Sequence, residues 1–308
     1  MTKNTQWILL ARILIFLNPV LAGSYYVASK AIIARYNPFL FTTIDSGIVA
    51  PVCLLILIMR ARGIERQQLL KGICLGALLA INILSNIVAV FYTTATDAGF
   101  YPAMIGALAV VFSAIVLKER IPPGSYLAAA LSIVGSCALI VSNLSDQSRF
   151  TGNIIAFLSN AEYVIYIFMM DRLSTDNKDT INLWAVQILT VAAISAVSYI
   201  LFEAFAPSGV WPTHPNWRAD VPVFLYVGVF TTLVPTLGAT FAQKYVSALF
   251  TSFFYLLEPI WTIILAWVFL AEKASILTYV FGLLIVAGSA TQYYVEVAHR
   301  KSHEETTA

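Results

Sequence analysis

Residues 255–273 read Tyr-Leu-Leu-Glu-Pro-Ile-Trp-Thr-Ile-Ile-Leu-Ala-Trp-Val-Phe-Leu-Ala-Glu-Lys. Between Tyr255 and Ala271 the only charge is Glu258, and the run closes on the pair Glu272-Lys273. Such a stretch can lie only in an apolar medium, and its length suits a helix rather than the roughly ten alternating residues of a barrel strand. The same ending occurs earlier. Val268-Phe-Leu-Ala-Glu272-Lys parallels Ile115-Val-Leu-Lys-Glu119-Arg, and each is followed by an apolar segment rich in Gly, Ala and Ser, at 128–137 and 280–289. Tyr25 and Tyr166 occupy corresponding places in a third matched pair, 23–30 and 164–171.

Working outward, apolar runs recur along the chain at about 7–32, 39–59, 70–93, 97–117, 124–143, 152–171, 181–203, 222–242, 247–270 and 275–297. At about 1.5 Å rise per residue each can cross a hydrocarbon core of roughly 30 Å. Composition agrees: 59% of the 308 residues are hydrophobic and 11% charged, with mean hydropathy +0.82. A soluble surface needs about a quarter of its residues charged. The expected fold is therefore an all-α integral membrane protein of ten transmembrane helices. It is arranged as two five-helix repeats, 1–145 and 146–298, with a disordered cytoplasmic tail at 299–308. An odd number of spans per repeat makes the repeats inverted, and that architecture puts a solute site near the midplane between them.

Thirteen of the 18 Lys and Arg residues fall on one side if the N-terminus is cytoplasmic, against five (Lys30, Arg35, Arg149, Arg218, Lys273) on the other. The positive-inside rule then puts both termini in the cytoplasm. The N-terminal apolar run continues to about Ala31 and reads as a retained span rather than a cleaved signal. Net charge of +2 implies no nucleic-acid partner. The three histidines (His214, His299, His303) lie in loops or the tail, and Cys53, Cys74 and Cys137 have no ligand spacing, so no metal site is expected. Without a phosphate-cradling Gly-rich loop with Lys, neither ATP drive nor any cofactor is expected.

Taken in order, these segments resemble the EamA-like ten-helix branch of the drug/metabolite transporter superfamily. The resemblance runs from about Leu14 to Thr291 and is carried by Glu258-Pro259, Glu272-Lys273 and the counterpart Glu119-Arg120. It implies a bacterial inner-membrane exporter of metabolites or amino-acid-like solutes driven by proton antiport. Two positions depart from the family pattern: Ala22-Gly23 stands where the family often has Trp-Gly, and Asp45 where it often has Arg. Substrate identity therefore does not carry over.

Three acids are read as lying inside spans: Asp45, Glu162 and Glu258. Glu162 and Glu258 each fall about ten residues into their spans, near the midplane at roughly 15 Å. An intramembrane acid costs about 2.5–3.5 kcal/mol to insert, so it faces the protein interior, where it binds proton or solute or fixes packing. Asp45 has two readings, a structural pair with Lys30 at similar depth or a solute contact. Tyr25, Tyr166, Tyr255, Trp261 and Asn86 complete the candidate site. Acids flanked by aromatic faces suit an amine-bearing or aromatic solute. Uptake of a cationic or zwitterionic solute such as choline is the alternative, with a lipid flippase or a membrane enzyme more distant.

Overall fold

The computed structural model describes residues 3–60, 65–118, 121–174, 180–205, 210–211, 213–242 and 256–307. Among the described residues ten helices follow one another: α1 Lys3–Ile33, α2 Pro38–Met59, α3 Arg66–Tyr92, α4 Ala95–Leu117, α5 Pro123–Val141, α6 Gln147–Ser174, α7 Thr180–Phe205, α8 at 217–242, α9 Glu258–Leu270 and α10 Ile276–Thr307. Nine of these described helices are long and apolar enough to cross a membrane; α9, whose described part has 13 residues, is shorter. Bulky apolar side chains such as Leu54, Ile58, Ile200, Phe269 and Leu283 point outward, as they must where lipid replaces water.

The helix pairs that pack most closely reveal the repeat. Exchanging each helix n of the first half with n+5 of the second carries the strongest of these pairs onto one another. The pairs α5–α10 and α2–α7 map onto themselves, α3–α6 maps onto α8–α1, and α3–α7 maps onto α8–α2. The chain is thus built as two five-helix repeats that share one interface. Local backbone repeats too. Lys118 and Ala271, which close α4 and α9, are the only non-glycine residues of positive φ (56° and 52°) among the described residues. Each directly precedes a glutamate of the matched endings, Glu119 and Glu272.

Small residues let the two halves touch backbone to backbone. A Cβ on Gly23 of α1 would lie 3.0 Å from the Glu258 carbonyl oxygen and 2.9 Å from Thr262 Oγ1. One on Gly99 of α4 would lie 2.5 Å from Thr262 Cγ2. Thr262 is therefore clasped between both helices, and it donates back to the Glu258 carbonyl at 3.0 Å. This close approach sets where Glu258 sits.

Helix α1 runs unbroken through Asn18-Pro19, and Asn18 donates its amide to the Pro235 carbonyl of α8 at 3.2 Å. Two expectations change. The segment from His299, expected as disordered, continues α10 as helix through Thr307; its Arg, Lys and Glu are good helix formers. The acids within helices number more than three. Asp97 and Asp220 sit in the first turns of α4 and α8, and both are fully buried. The sequence spans began too late to include Asp220 and put Asp97 at the membrane boundary.

Candidate functional site

The sequence-identified acids separate into two places. Glu162 on α6 and Glu258 on α9 stand at matching depth. Counting about 1.5 Å per residue, Glu162 lies roughly 22 Å from Gln147 and Glu258 roughly 18 Å from Leu270, both measured from the same end of the bundle. Tyr163 joins them, lying within electrostatic reach of both carboxylates. Tyr26 of α1 is within reach of Glu258 and Tyr163 in turn, and its hydroxyl accepts from the Asn86 amide of α3 at 3.4 Å. The centre thus draws on α1, α3, α6 and α9, two helices from each repeat.

Helix α9 explains how Glu258 is presented. Its described helix begins at Glu258, with Leu257 as N-cap and Pro259 in the first turn. Proline is suited to that place because its missing N–H is not needed there and its φ is already helical. Glu258 therefore occupies a helix N-terminus inside the membrane, where the exposed N–H groups and the dipole favour a negative group. Pro259 thus stands at the start of the described helix rather than interrupting it.

The two central carboxylates are short of partners. Both oxygens of Glu162 are shut away from solvent and receive no hydrogen bond, and the Asn86 carbonyl Oδ1 is in the same condition. Among the described residues the Glu258 side chain has neither hydrogen bond nor ion pair. Aromatic rings wall the region. Tyr163 and Tyr166 stack at 5.2 Å, and Tyr25 meets Tyr26 edge-on at 5.7 Å. Tyr166 donates to Gln187 Oε1 of α7 at 2.7 Å, a partner the sequence did not suggest. Trp261 lies half-buried one turn beyond Glu258. Tyr255 lies outside the described residues.

The best-defined cavities do not lie between these acids. One of about 530 Å³ is bounded by Phe39, Ser198, Leu201, Phe202 and Phe205, and one of about 410 Å³ by Leu57, Leu69, Ile73, Val186 and neighbours. Both open at the outer surface of the bundle. The hollow expected at the midplane is not among them, and tyrosine side chains stand beside the acids instead.

Asp45 belongs elsewhere. It is buried on α2 and accepts from the Thr232 hydroxyl of α8 at 3.1 and 3.2 Å. Thr232 lies in a π-helical stretch, Val227–Leu233, a local widening that often marks functional positions. The suggested Lys30 pair is not formed. Lys30 donates instead to the carbonyls of Val90 (2.8 Å) and Phe91 (3.2 Å), the last turn of α3, where a cation complements both the orphan carbonyls and the helix dipole. The polar stripe on α3 divides: Asn82 donates to Ser159 of α6, a helix-to-helix bond, and Asn86 faces Tyr26.

Sequence reasoning missed the bundle end remote from the N-terminus, here the distal end. Arg35 pairs with buried Asp220, which also accepts from the Tyr36 hydroxyl (2.9 Å) and the Asn216 N–H (3.0 Å). The bond to Asp220 raises the Arg35 pKa, and burial pushes the Tyr36 hydroxyl up to about 12, with the Asp220 bond adding to it. Arg149 pairs with buried Asp97 at 2.7 Å. Glu272 accepts from the Ala95 and Thr96 N–H groups at 3.0 and 3.1 Å, capping α4 from the other repeat. Trp211, in the segment after α7, stacks on Phe202 at 4.4 Å and donates to the Tyr92 hydroxyl at 3.2 Å. The available signal was the set of distal cations, Arg35 and Arg149, which needed anions close by.

A family model described as the EamA-like transporter family matches residues 9–141 and 150–293. The chain belongs to the EamA-like transporter family. The two matches are the two repeats seen in the packing, and they bring this member into the drug/metabolite transporter superfamily. A solved structure, described only as a crystal structure of a protein, is similar over 92% of this chain and 96% of its own, at 21% identity and TM-score 0.61. That likeness concerns the fold. No curated protein matches the chain. As a family member the protein is a multi-pass membrane transporter, which implies a small-molecule substrate and a bilayer around it.

Proposed function

We propose that this EamA-like transporter is a proton-coupled secondary exporter of a small metabolite, working by alternating access, with Glu162 and Glu258 as the site shared in turn by proton and solute. It works in a bacterial inner membrane with both termini cytoplasmic, and it is not an enzyme. One observation carries the reading: two carboxylates, one from α6 and one from α9, lie at matching depth beside Tyr163, both oxygens of Glu162 are buried without a donor, and Glu258 has no hydrogen bond among the described residues. A buried carboxylate is satisfied by a proton or by a cation, and either exchange turns an expensive buried charge into a tolerable one. Rocking of the inverted repeats would carry the change from one side to the other.

The experiment uses purified protein in proteoliposomes with an imposed pH gradient and a panel of labelled metabolites. Wild-type vesicles transport against the solute gradient when protons flow the other way. Glu162→Gln and Glu258→Gln each lose gradient-driven transport. If both variants transport with coupling intact, the site assignment is wrong, although the fold and family stand. Accumulation of solute by expressing cells, rather than depletion, would reverse the direction and favour the uptake alternative.

A further inference from the structure

The unpartnered buried atoms of Glu162 and Asn86 are all acceptors. Glu162 contributes two donor-free oxygens and Asn86 contributes its carbonyl, while the Glu258 carboxylate has no donor among the described residues. Carboxylates and amide carbonyls accept at these atoms and donate nothing. A ligand that completes the site must therefore supply N–H or O–H donors.

Charge narrows the class further. No lysine, arginine or histidine falls in the middle third of any described helix. The cations that reach inward from the distal end are committed: Lys30 to the carbonyls of Val90 and Phe91, Arg35 to Asp220, and Arg149 to Asp97. A solute carboxylate at the centre would meet two acids and no cation of the described residues, and burial of an unpaired anion is prohibitively costly. The walls set the third condition. The faces of Tyr163 and Tyr166 stack and Tyr25 and Tyr26 meet edge-on, so the surroundings accept a flat or apolar body and a cation over a ring.

We infer that the transported solute is a protonated primary or secondary amine with an apolar or aromatic body and no carboxylate, its N–H groups donating to Glu162 and Glu258. The inference rests on the reading of this pair as the solute site. It distinguishes two cations that carry equal charge. A quaternary ammonium has the charge and no donor on its nitrogen; even choline, with its single hydroxyl, could satisfy only one of the acceptor oxygens. An amino acid has the donors and adds an anion the site cannot pair. When the amine arrives already protonated, one proton bound at the carboxylates leaves as it binds, so the centre carries no net charge in either exchange state.

Three probes with one aromatic body test it: phenethylamine, its N,N,N-trimethyl derivative, and phenylalanine. Binding to full-length protein in nanodiscs is read by displacement and by thermal shift. Phenethylamine is expected to bind about 10-fold or more tightly than either analogue, the effect of one or two charge-assisted hydrogen bonds. Glu162→Gln is expected to erase the preference for phenethylamine over its trimethyl derivative. Monodisperse elution and unchanged melting of the variant establish that it is folded. Equal or tighter binding of the trimethyl derivative overturns the donor argument. Equal or tighter binding of phenylalanine, or no binding of phenethylamine, overturns the amine class. In each of those cases a metabolite panel that stabilises wild type but neither Glu variant leaves the solute site in place. A panel that stabilises wild type and both variants alike removes the site itself.

Discussion

The distal end and the centre of this molecule both contain buried acids, and they treat them oppositely. At the distal end Asp220 has an arginine, a tyrosine hydroxyl and a backbone N–H, Asp97 has an arginine, and Glu272 has the first turn of α4. At the centre Glu162 has no donor for either oxygen. The distal contacts also cross between elements: α4 with α6, the α1–α2 connection with α8, and the end of α9 with the start of α4. Charges that fasten helices together each have a cation or an N–H, although Asp97 keeps one buried oxygen without a donor, and the acids with neither are those a transporter can use. In alternating access the matched end would have to release, so the same contacts that stabilise one arrangement oppose the other.

The comparison can be broken at several points. The largest stability effect is expected for Arg149→Ala, which leaves the fully buried Asp97 without its cation. Loss of about 3–5 kcal/mol is the usual cost of orphaning a buried charge, read as a lowered melting temperature in detergent. Arg149→Ala/Asp97→Asn should recover much of it. If the single variant melts like wild type, the distal pair is not a fastening. Next comes Gly23→Val, whose side chain would press on Thr262 and the Glu258 carbonyl. Overpacking of this kind costs about 1–3 kcal/mol, and because it displaces α9 beside the acid it should lower transport more than Gly47→Val, where the space is open. Glu272→Gln removes a charged cap from α4 and is expected to cost about 1 kcal/mol, the scale of cap and dipole effects. At the small end, Glu162→Gln should leave melting unchanged or raise it, since an unpartnered buried acid is exchanged for a neutral amide. A clear drop there would mean that Glu162 holds structure and that the two regions do not differ as argued. Asp45→Asn should also change melting little, because the amide oxygen can still accept from Thr232.

Several features of the site were legible in residues 255–273 and their neighbours alone. The depths of Glu162 and Glu258 followed from counting along apolar runs, and Tyr25 and Tyr166 from their matching places in the repeat, whereas Tyr26 and Tyr163 came from the packing of α1 and α6. Asp45 and Lys30 show where counting fails. Similar depth on adjacent spans suggested a pair, but depth does not fix rotation about the helix axis. In the fold Lys30 turns to the end of α3 and Asp45 to Thr232. Asp97 and Asp220 were missed because a buried acid at a helix start looks, in sequence, like an ordinary loop residue at the membrane edge.

What the sequence determined by itself was the medium, the number of spans and the repeat. Those depend on composition, run length and local similarity, all of which are one-dimensional. Only the tertiary structure decided which acids share a place and which are already satisfied. Partnership depends on helix rotation, on the approach of α1 to α9 that Gly23 permits, and on contacts between residues as far apart as Arg35 and Asp220. A chain read in order cannot register whether a carboxylate has found a donor, and in this protein that difference separates the end that holds from the centre that is free to bind.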